Sequence, residues 1–284
     1  MSAVTSAAHP VARRGRLSLA SDTWRRRIVI GIVAVYVTLL VLAPIAALIV
    51  GAFGEGIRGV VNALAQPEVL SAFWRTIYIA LITLVVHAVF GTLVAWVLVR
   101  HRFPGQKLLN GLLDLPFATS AVVVGYMLLL IFGRNGLLGP WLEAMDIKVA
   151  FALPGMILAT LFVTLPFMVR EVMPVLEALD VEQEQAAATL GASGWQTFWW
   201  VTFPALRWGF IYGVTLTFAR ALGEFGAVLV IGGGAQGATE TTTLYIFRAL
   251  DERQYVGAYS AALVLGLLSL AFVVGSDLLR RKEK

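Results

Sequence analysis

The sequence predicts an all-α membrane protein with six transmembrane helices and both termini in the cytoplasm. Hydrophobic residues make up 59% of the 284 residues and charged residues 14%, against roughly 45–50% and about 25% in water-soluble domains. The mean hydropathy is +0.82. Such a chain cannot coat a water-facing surface. Six stretches, 28–54, 76–99, 115–133, 149–169, 208–231 and 254–276, are continuously apolar, and of these only 208–231 is interrupted by charges, Arg220 and Glu224. Each is near the roughly 20 residues a helix needs to cross a bilayer. Barrel strands would be about ten residues long with strict alternation, so helices are predicted.

Lys and Arg set the orientation, because cytoplasmic connections carry the excess. Residues 1–27 form a basic tail with Arg13, Arg14, Arg16, Arg25, Arg26 and Arg27. The apolar run 28–54 is longer than the 7–15 residues of a signal-peptide core, so it reads as an uncleaved first helix. Segment 52–75 is external and contains Pro67 and Glu68. Segment 100–114 is a basic cytoplasmic turn with Arg100, Arg102 and Lys107. Segment 134–148 is external, with turns at Gly136, Gly139 and Pro140. Segment 170–207 is cytoplasmic. Segment 232–253 is external and opens on Gly232–Gly234. Its TTTLYIFRALDER stretch sets Leu244, Phe247 and Leu250 on one helical face, for docking on a partner, on the membrane or on its own bundle. The C-terminus carries Arg280, Arg281, Lys282 and Lys284. The net charge of +5 is thus explained by topology, with no need for nucleic acid.

With no cysteine, there is no disulfide or thiolate site. His9, His87 and His101 have no metal-ligand spacing. No phosphate-cradling G-x-x-x-x-G-K-[ST] loop and no catalytic constellation is visible. The chain is therefore predicted not to be an enzyme by itself and to hold no cofactor. If ATP drives it, a partner subunit binds the nucleotide.

The longest connection, 170–207, holds Glu171, Glu177, Asp180, Glu182 and Glu184, then Trp195, Phe198, Trp199, Trp200 and Phe203. Two short helices fit. One runs near 181–190 with Gly191 as its C-terminal cap. The other follows Ser193 as N-cap and stops before Pro204, whose ring disfavours helix in the preceding residue. Exposed apolar surface in the cytoplasm marks a protein interface. A lipid-lying helix would carry Lys or Arg on its polar face, and 171–206 has none.

Gln185-Ala186-Ala187-Ala188-Thr189-Leu190-Gly191, with Pro204 in step, resembles the cytoplasmic motif of ABC importer permeases: EAAxxxG, nine residues, then IxLP. Val201 and Phe203 stand at the Ile and Leu positions. Gln185 replaces the usual Glu, and Glu184 lies one residue earlier. RHRFPGQ, LDLPFATSAVVVGYMLLLIFGRNGLLGPWL, FALPGMILATLFVTLPFMVREVMPVL and FARALGEFGAV resemble the sulfate/thiosulfate permease subunits of the CysW type, over roughly 70–280. The resemblance implies a type I ABC importer permease fold in a bacterial cytoplasmic (inner) membrane. It also implies a second homologous permease subunit, two copies of a cytosolic ABC ATPase and a periplasmic sulfate-binding protein. The site residues it implies are Glu184, Gln185, Ala186, Ala187, Gly191 and Pro204 in an ATPase-coupling loop. GEFGA, Gly223 to Ala227, is shared with molybdate permeases.

Alternatives at this point are a molybdate or tungstate permease, an ion-coupled secondary transporter and a non-transporting scaffold. Secondary transporters show inverted repeats and several intramembrane charges; no repeat is visible, and one charged pair lies deep in a span. Arg220 and Glu224 are spaced to share a helical face. They either neutralise each other, with Thr217 as a polar neighbour, or Arg220 lines a translocation path. Capturing a dianion needs several aimed donors, and no such Lys or Arg cluster is apparent, so a separate binding protein is expected.

Overall fold

The computed structural model describes the backbone of residues 19–281 and the side chains of 24–279. The Arg13, Arg14 and Arg16 part of the basic tail, and Lys282 and Lys284, lie outside the described residues. Two units are distinguished, Met1–Leu48 and Ile49–Lys284. In the first, α1 (Leu19–Val37) passes through a π-turn at Thr38–Leu42 into α2 (Ala43–Ala52). Its apolar side chains, such as Ile32, Leu40 and Ile45, are exposed.

The second unit is helical in every regular element described. In chain order it contains α3 (Gly56–Leu64), α4 (Pro67–Val86), a π-turn at His87–Gly91, α5 (Thr92–Arg100), α6 (Gln106–Leu112), α7 (Leu115–Ala118) and α8 (Ala121–Phe132). There follow α9 (Gly139–Ala144), α10 (Leu153–Ala178), α11 (Val181–Thr189), α12 (Gly194–Thr197), a π-turn at Phe198–Thr202 and α13 (Phe203–Leu222). The last are α14 (Gly226–Gly232), α15 (Thr242–Asp251) and α16 (Tyr255–Arg281). Among the described residues, four runs are long and apolar enough to cross a membrane: Trp24–Ala52, Pro67–Arg100, Leu153–Ala178 and Tyr255–Leu279. Two bent pairs, Gln106–Ala118 with Ala121–Phe132 (115°) and Gly194–Leu222 with Gly226–Gly232 (56°), raise the count to six if each is one span.

α10 is the axis of this unit. Up to Val169 it carries no charged residue, the pattern of a buried helix. Met156, Ala159 and Val163 pack with Ile79, Val124, Ala227 and Ile231. Two turns on, Met168, Val172 and Leu176 pack with Ala95, Leu98 and Leu206. α13 approaches α10 through Gly209 and Gly213, small residues spaced for close helix contact. A Cβ on Gly209 would lie 2.9 Å from the Glu171 carbonyl, and one on Gly213 would lie 2.6 Å from Met168 Sδ. Gly209→Val is therefore expected to overpack the contact by about 1–3 kcal/mol. Gly213→Ala should cost less, because the flexible Met168 thioether can move. Thermal unfolding in detergent checks the order.

Several sequence expectations need correction. α10 does not stop at 169. It continues through Arg170, Pro174 and Glu177 to Ala178, so the connection begins near Leu179. Arg170 is accommodated because its Nε and Nη2 donate to Asp114 Oδ1 (2.9 Å) and Oδ2 (2.6 Å), in the turn between Leu112 and Leu115. The supposed turn 100–114 contains α6, and α7 follows at Leu115. Pro67 opens α4 rather than lying in a loop, with Glu68 in the first turn, where a helix dipole favours an acid.

Candidate coupling loop and intramembrane charge pair

Local chemistry builds the loop after α10. α11 carries Glu182 and Glu184 in its first turn. It closes at Gly191, whose φ of +89° is left-handed and favours glycine. There Gly191 N–H donates to the Ala188 carbonyl (3.0 Å) and Ala192 N–H to the Ala187 carbonyl (3.0 Å), a Schellman closure. α12 opens on a capping box. Gln196 N–H donates to Ser193 Oγ (3.3 Å), and Ser193 N–H donates to Gln196 Oε1 (2.8 Å). Both caps stand where the sequence predicts them.

Pro204 does not end the second helix, contrary to expectation. The π-turn absorbs it: Phe203 N–H reaches back to the Phe198 carbonyl, and the wide turn ends where Pro204 has no N–H to donate. Helix then continues to Leu222.

The candidate loop residues divide by face. Gln185, Ala186 and Gly191 are exposed, Ala187 is half-buried and Pro204 is exposed. Leu190 is 89% exposed, Trp195 71% and Trp200 74%. A Cβ on Gly191 would meet nothing within 4 Å. Glu184 turns inward. It receives Thr202 Oγ1–H at 2.8 Å and faces Arg100 Nε at 3.2 Å. The aromatic residues partly pack on each other, through Phe198–Trp199 (5.3 Å), Trp199–Phe203 (5.0 Å) and Phe203–Phe210 (5.5 Å).

Arg220 and Glu224 do meet: Arg220 Nη1 lies 2.8 Å from Glu224 Oε2. They do not share one helix face, however, because α13 ends at Leu222 and Glu224 sits in the break before α14. The Glu224 side chain is 2% exposed and that of Arg220 is 32%. Glu224 Oε1 receives Ala227 N–H (3.1 Å), and the Glu224 carbonyl receives Thr243 Oγ1–H (2.7 Å). The carboxylate thus caps α14 while holding Arg220. Thr217 is buried, but its Oγ1 has no hydrogen-bond partner among the described residues, so it does not bond to the pair. A narrow cleft of about 10 Å³ beside Glu224 is lined by Thr76, Thr160 and Thr241.

A second polar cluster escapes sequence reasoning. Thr239, Glu240, Thr241 and Thr242 are all buried. Arg248 Nε donates to Glu240 Oε1 (2.7 Å), while Nη1 reaches Glu252 (3.0 Å) and Nη2 reaches Glu68 (3.3 Å). Arg75 donates to the Glu240 and Gly237 carbonyls. Hydrogen bonding to Glu240 holds the Arg248 guanidinium above its ordinary pKa, and burial raises the Tyr245 hydroxyl. α15 therefore packs on its own bundle through Tyr245 and Ala249, together with Val69, Ala72 and Ala258. Phe247 and Leu250, predicted on the docking face, are exposed, whereas Leu244 is buried. The signals available were the polar run at 239–243 and the Arg248–Glu252 spacing. Arg248→Ala would leave Glu240 buried without its cation, at about 3–5 kcal/mol. Thermal unfolding should show this as a loss that Arg248→Lys only partly restores, because lysine lacks the planar fork.

A cavity of about 410 Å³ lies beside Phe132, Leu142 and Phe151. Its cations, Arg134 and Lys148, share the lining with Glu143 and Asp146, and Arg134 already pairs with Glu143 at 3.2 Å.

Residues 87–283 match the family of binding-protein-dependent transport system inner membrane components. The chain is 47% identical over 253 residues to the sulfate transport system permease protein CysW of Synechococcus elongatus, covering 89% of this chain and 88% of that protein. It is 40% identical over 253 residues to the sulfate transport system permease protein CysT of Escherichia coli, covering 89% and 91%. In fold it is similar to a chain of a bacterial ABC transporter involved in the import of the acidic polysaccharide alginate. The TM-score there is 0.76 at 17% identity, covering 93% of this chain and 98% of that one. The chain belongs to the family of binding-protein-dependent transport system inner membrane components, membrane subunits of ABC importers.

Proposed function

We propose that this chain is one permease subunit of an ATP-driven importer of sulfate and thiosulfate in a bacterial inner membrane. The observation that carries the reading is the 47% identity with CysW along 89% of the chain. In this reading each bent helix pair is one span, which gives six, and the Lys and Arg asymmetry puts both termini in the cytoplasm. The second permease is a CysT-like subunit, consistent with the 40% identity to that protein. Two copies of a cytosolic ABC ATPase bind the ATP, and this chain holds no cofactor. A periplasmic binding protein delivers the anion. The cavity near Arg134 supports that dependence, since Arg134 is already paired with Glu143 and acids share the lining with Lys148, which leaves no cluster of several aimed donors.

Gln185, Ala186 and Gly191 present the exposed face of the α11–α12 hairpin to the ATPase, with the half-buried Ala187 at its edge. Glu184 braces the hairpin from within, and Pro204 marks its junction with α13. Closure of the ATPase dimer moves the hairpin together with α10 and α13. The loaded binding protein and ATP must favour the outward-facing state differentially for this to work.

Sulfate uptake by a strain lacking this gene, complemented with the chain, tests the reading. Restored uptake that excess thiosulfate suppresses and excess molybdate spares is expected. Uptake of molybdate instead would transfer the chain to the molybdate and tungstate importers.

A further inference from the structure

The RHRFPGQ stretch is tied to the hairpin by one guanidinium. Arg100, the last residue of α5, is 11% exposed in its side chain. Its Nη2 donates to Glu184 Oε1 at 3.4 Å, and its Nε lies 3.2 Å from Glu184 Oε2 as an ion-pair contact without hydrogen-bond geometry. Nη2 also donates to the Leu179 carbonyl at 3.2 Å, at the corner between α10 and α11. Thr202, in the π-turn before α13, donates to the same Glu184 Oε1 at 2.8 Å. Four segments therefore converge: the end of α5, the α10–α11 corner, α11 and the π-turn. The rest of the stretch stiffens this point. Gln106 Nε2 donates to the Leu98 carbonyl at 2.6 Å, and Trp96 meets the His101 ring edge-on at 4.8 Å.

An ion pair this enclosed is weak evidence of stability, because desolvation offsets its attraction. What a planar guanidinium shared between a carboxylate and a carbonyl supplies is geometry, fixing the approach of the groups it holds. The hairpin otherwise joins the helices through short non-helical corners at Leu179–Asp180 and Gly191–Ser193, which can act as hinges.

We propose that Arg100 is a positioning residue for coupling. Its guanidinium, paired with the Glu184 that Thr202 also holds and bonded to the Leu179 carbonyl, makes the α5–α6 turn move with the α11–α12 hairpin, so that motion of the ATPase reaches α5 as well as α10 and α13. The inference rests on the proposed coupling role of the hairpin.

The test uses the complete transporter in proteoliposomes: both permeases, the ATPase and the sulfate-loaded binding protein. ATP hydrolysis and radiolabelled sulfate uptake are measured together for Arg100→Gln, Arg100→Lys and Thr202→Val. In Arg100→Gln the complex should assemble and hydrolyse ATP, but import about tenfold less sulfate per ATP. Arg100→Lys should recover part of the ratio and Thr202→Val should lose a smaller part. A wild-type ratio in an assembled Arg100→Gln complex overturns the proposal. If that variant does not assemble, a wild-type ratio in the nearly isosteric Thr202→Val overturns it instead. Should wild type import no sulfate, the functional reading fails. The clamp is then read from stimulation of ATP hydrolysis by the binding protein. Its loss in Arg100→Gln supports the clamp, and its retention refutes it.

Discussion

Gly191→Glu is expected to abolish uptake while leaving the subunit in the membrane at normal levels. Nothing within 4 Å surrounds a Cβ at this position, so glutamate clashes with no part of this chain. Its folding cost is that of a side chain at φ +89°, about 1 kcal/mol for alanine and less for asparagine. Transport is lost because a charge would be placed in a dry contact with the ATPase. Burying an uncompensated charge costs several kcal/mol, and each 1.4 kcal/mol is about tenfold in affinity. Gly191→Asn should transport nearly as wild type, and Gly191→Ala should lower stability slightly with uptake kept. Immunoblots of membrane fractions beside uptake assays separate the effects. Wild-type uptake by the glutamate variant would remove Gly191 from the coupling contact.

The second large effect is expected at the pair in the helix break. Arg220→Gln leaves Glu224 buried and without its cation, for which about 3–5 kcal/mol is typical. The variant should fall sharply in membrane abundance. Glu224→Gln should fall less. An amide oxygen can still receive Ala227 N–H, and the one-third-exposed Arg220 is not sealed in. The double variant should recover much of the Arg220→Gln loss, since no charge is then left alone. A double-mutant cycle on abundance and uptake measures the coupling. A translocation role for Arg220 predicts the opposite pattern. Arg220→Gln would then keep its abundance and lose uptake, and the second substitution would not restore it. The capping of α14 by Glu224, and its near-complete burial, favour the structural outcome.

What was legible depended on range. The cap at Gly191 and the capping box at Ser193 follow from residues within a few positions, and both form as expected. The Arg220–Glu224 contact also follows from spacing. The break between these residues does not, because it is held in part by Thr243, which donates to the Glu224 carbonyl from 19 residues away. Arg170 and Pro174 look like loop residues in one dimension. Both lie within α10: Asp114, 56 residues earlier, accepts the Arg170 guanidinium, and Pro174 is carried inside the helix. The Glu240 cluster was hidden for the same reason: Arg75 lies 165 positions away. Glu184 was identifiable as a loop acid beside the substituted Gln185, but its inward partners, Arg100 and Thr202, come from other segments. Pro204 was misread because the closing bond of the π-turn is made by Phe203 N–H, so Pro204 falls in the first turn of α13, where a missing N–H costs little.

The most direct measurement is ATP-dependent import of radiolabelled sulfate by this chain, reconstituted with its partner permease, the ATPase and the binding protein. Accumulation that requires ATP, all four components and an intact Gly191 is the predicted result. Sulfate accumulation that proceeds without ATP or without the ATPase would contradict it.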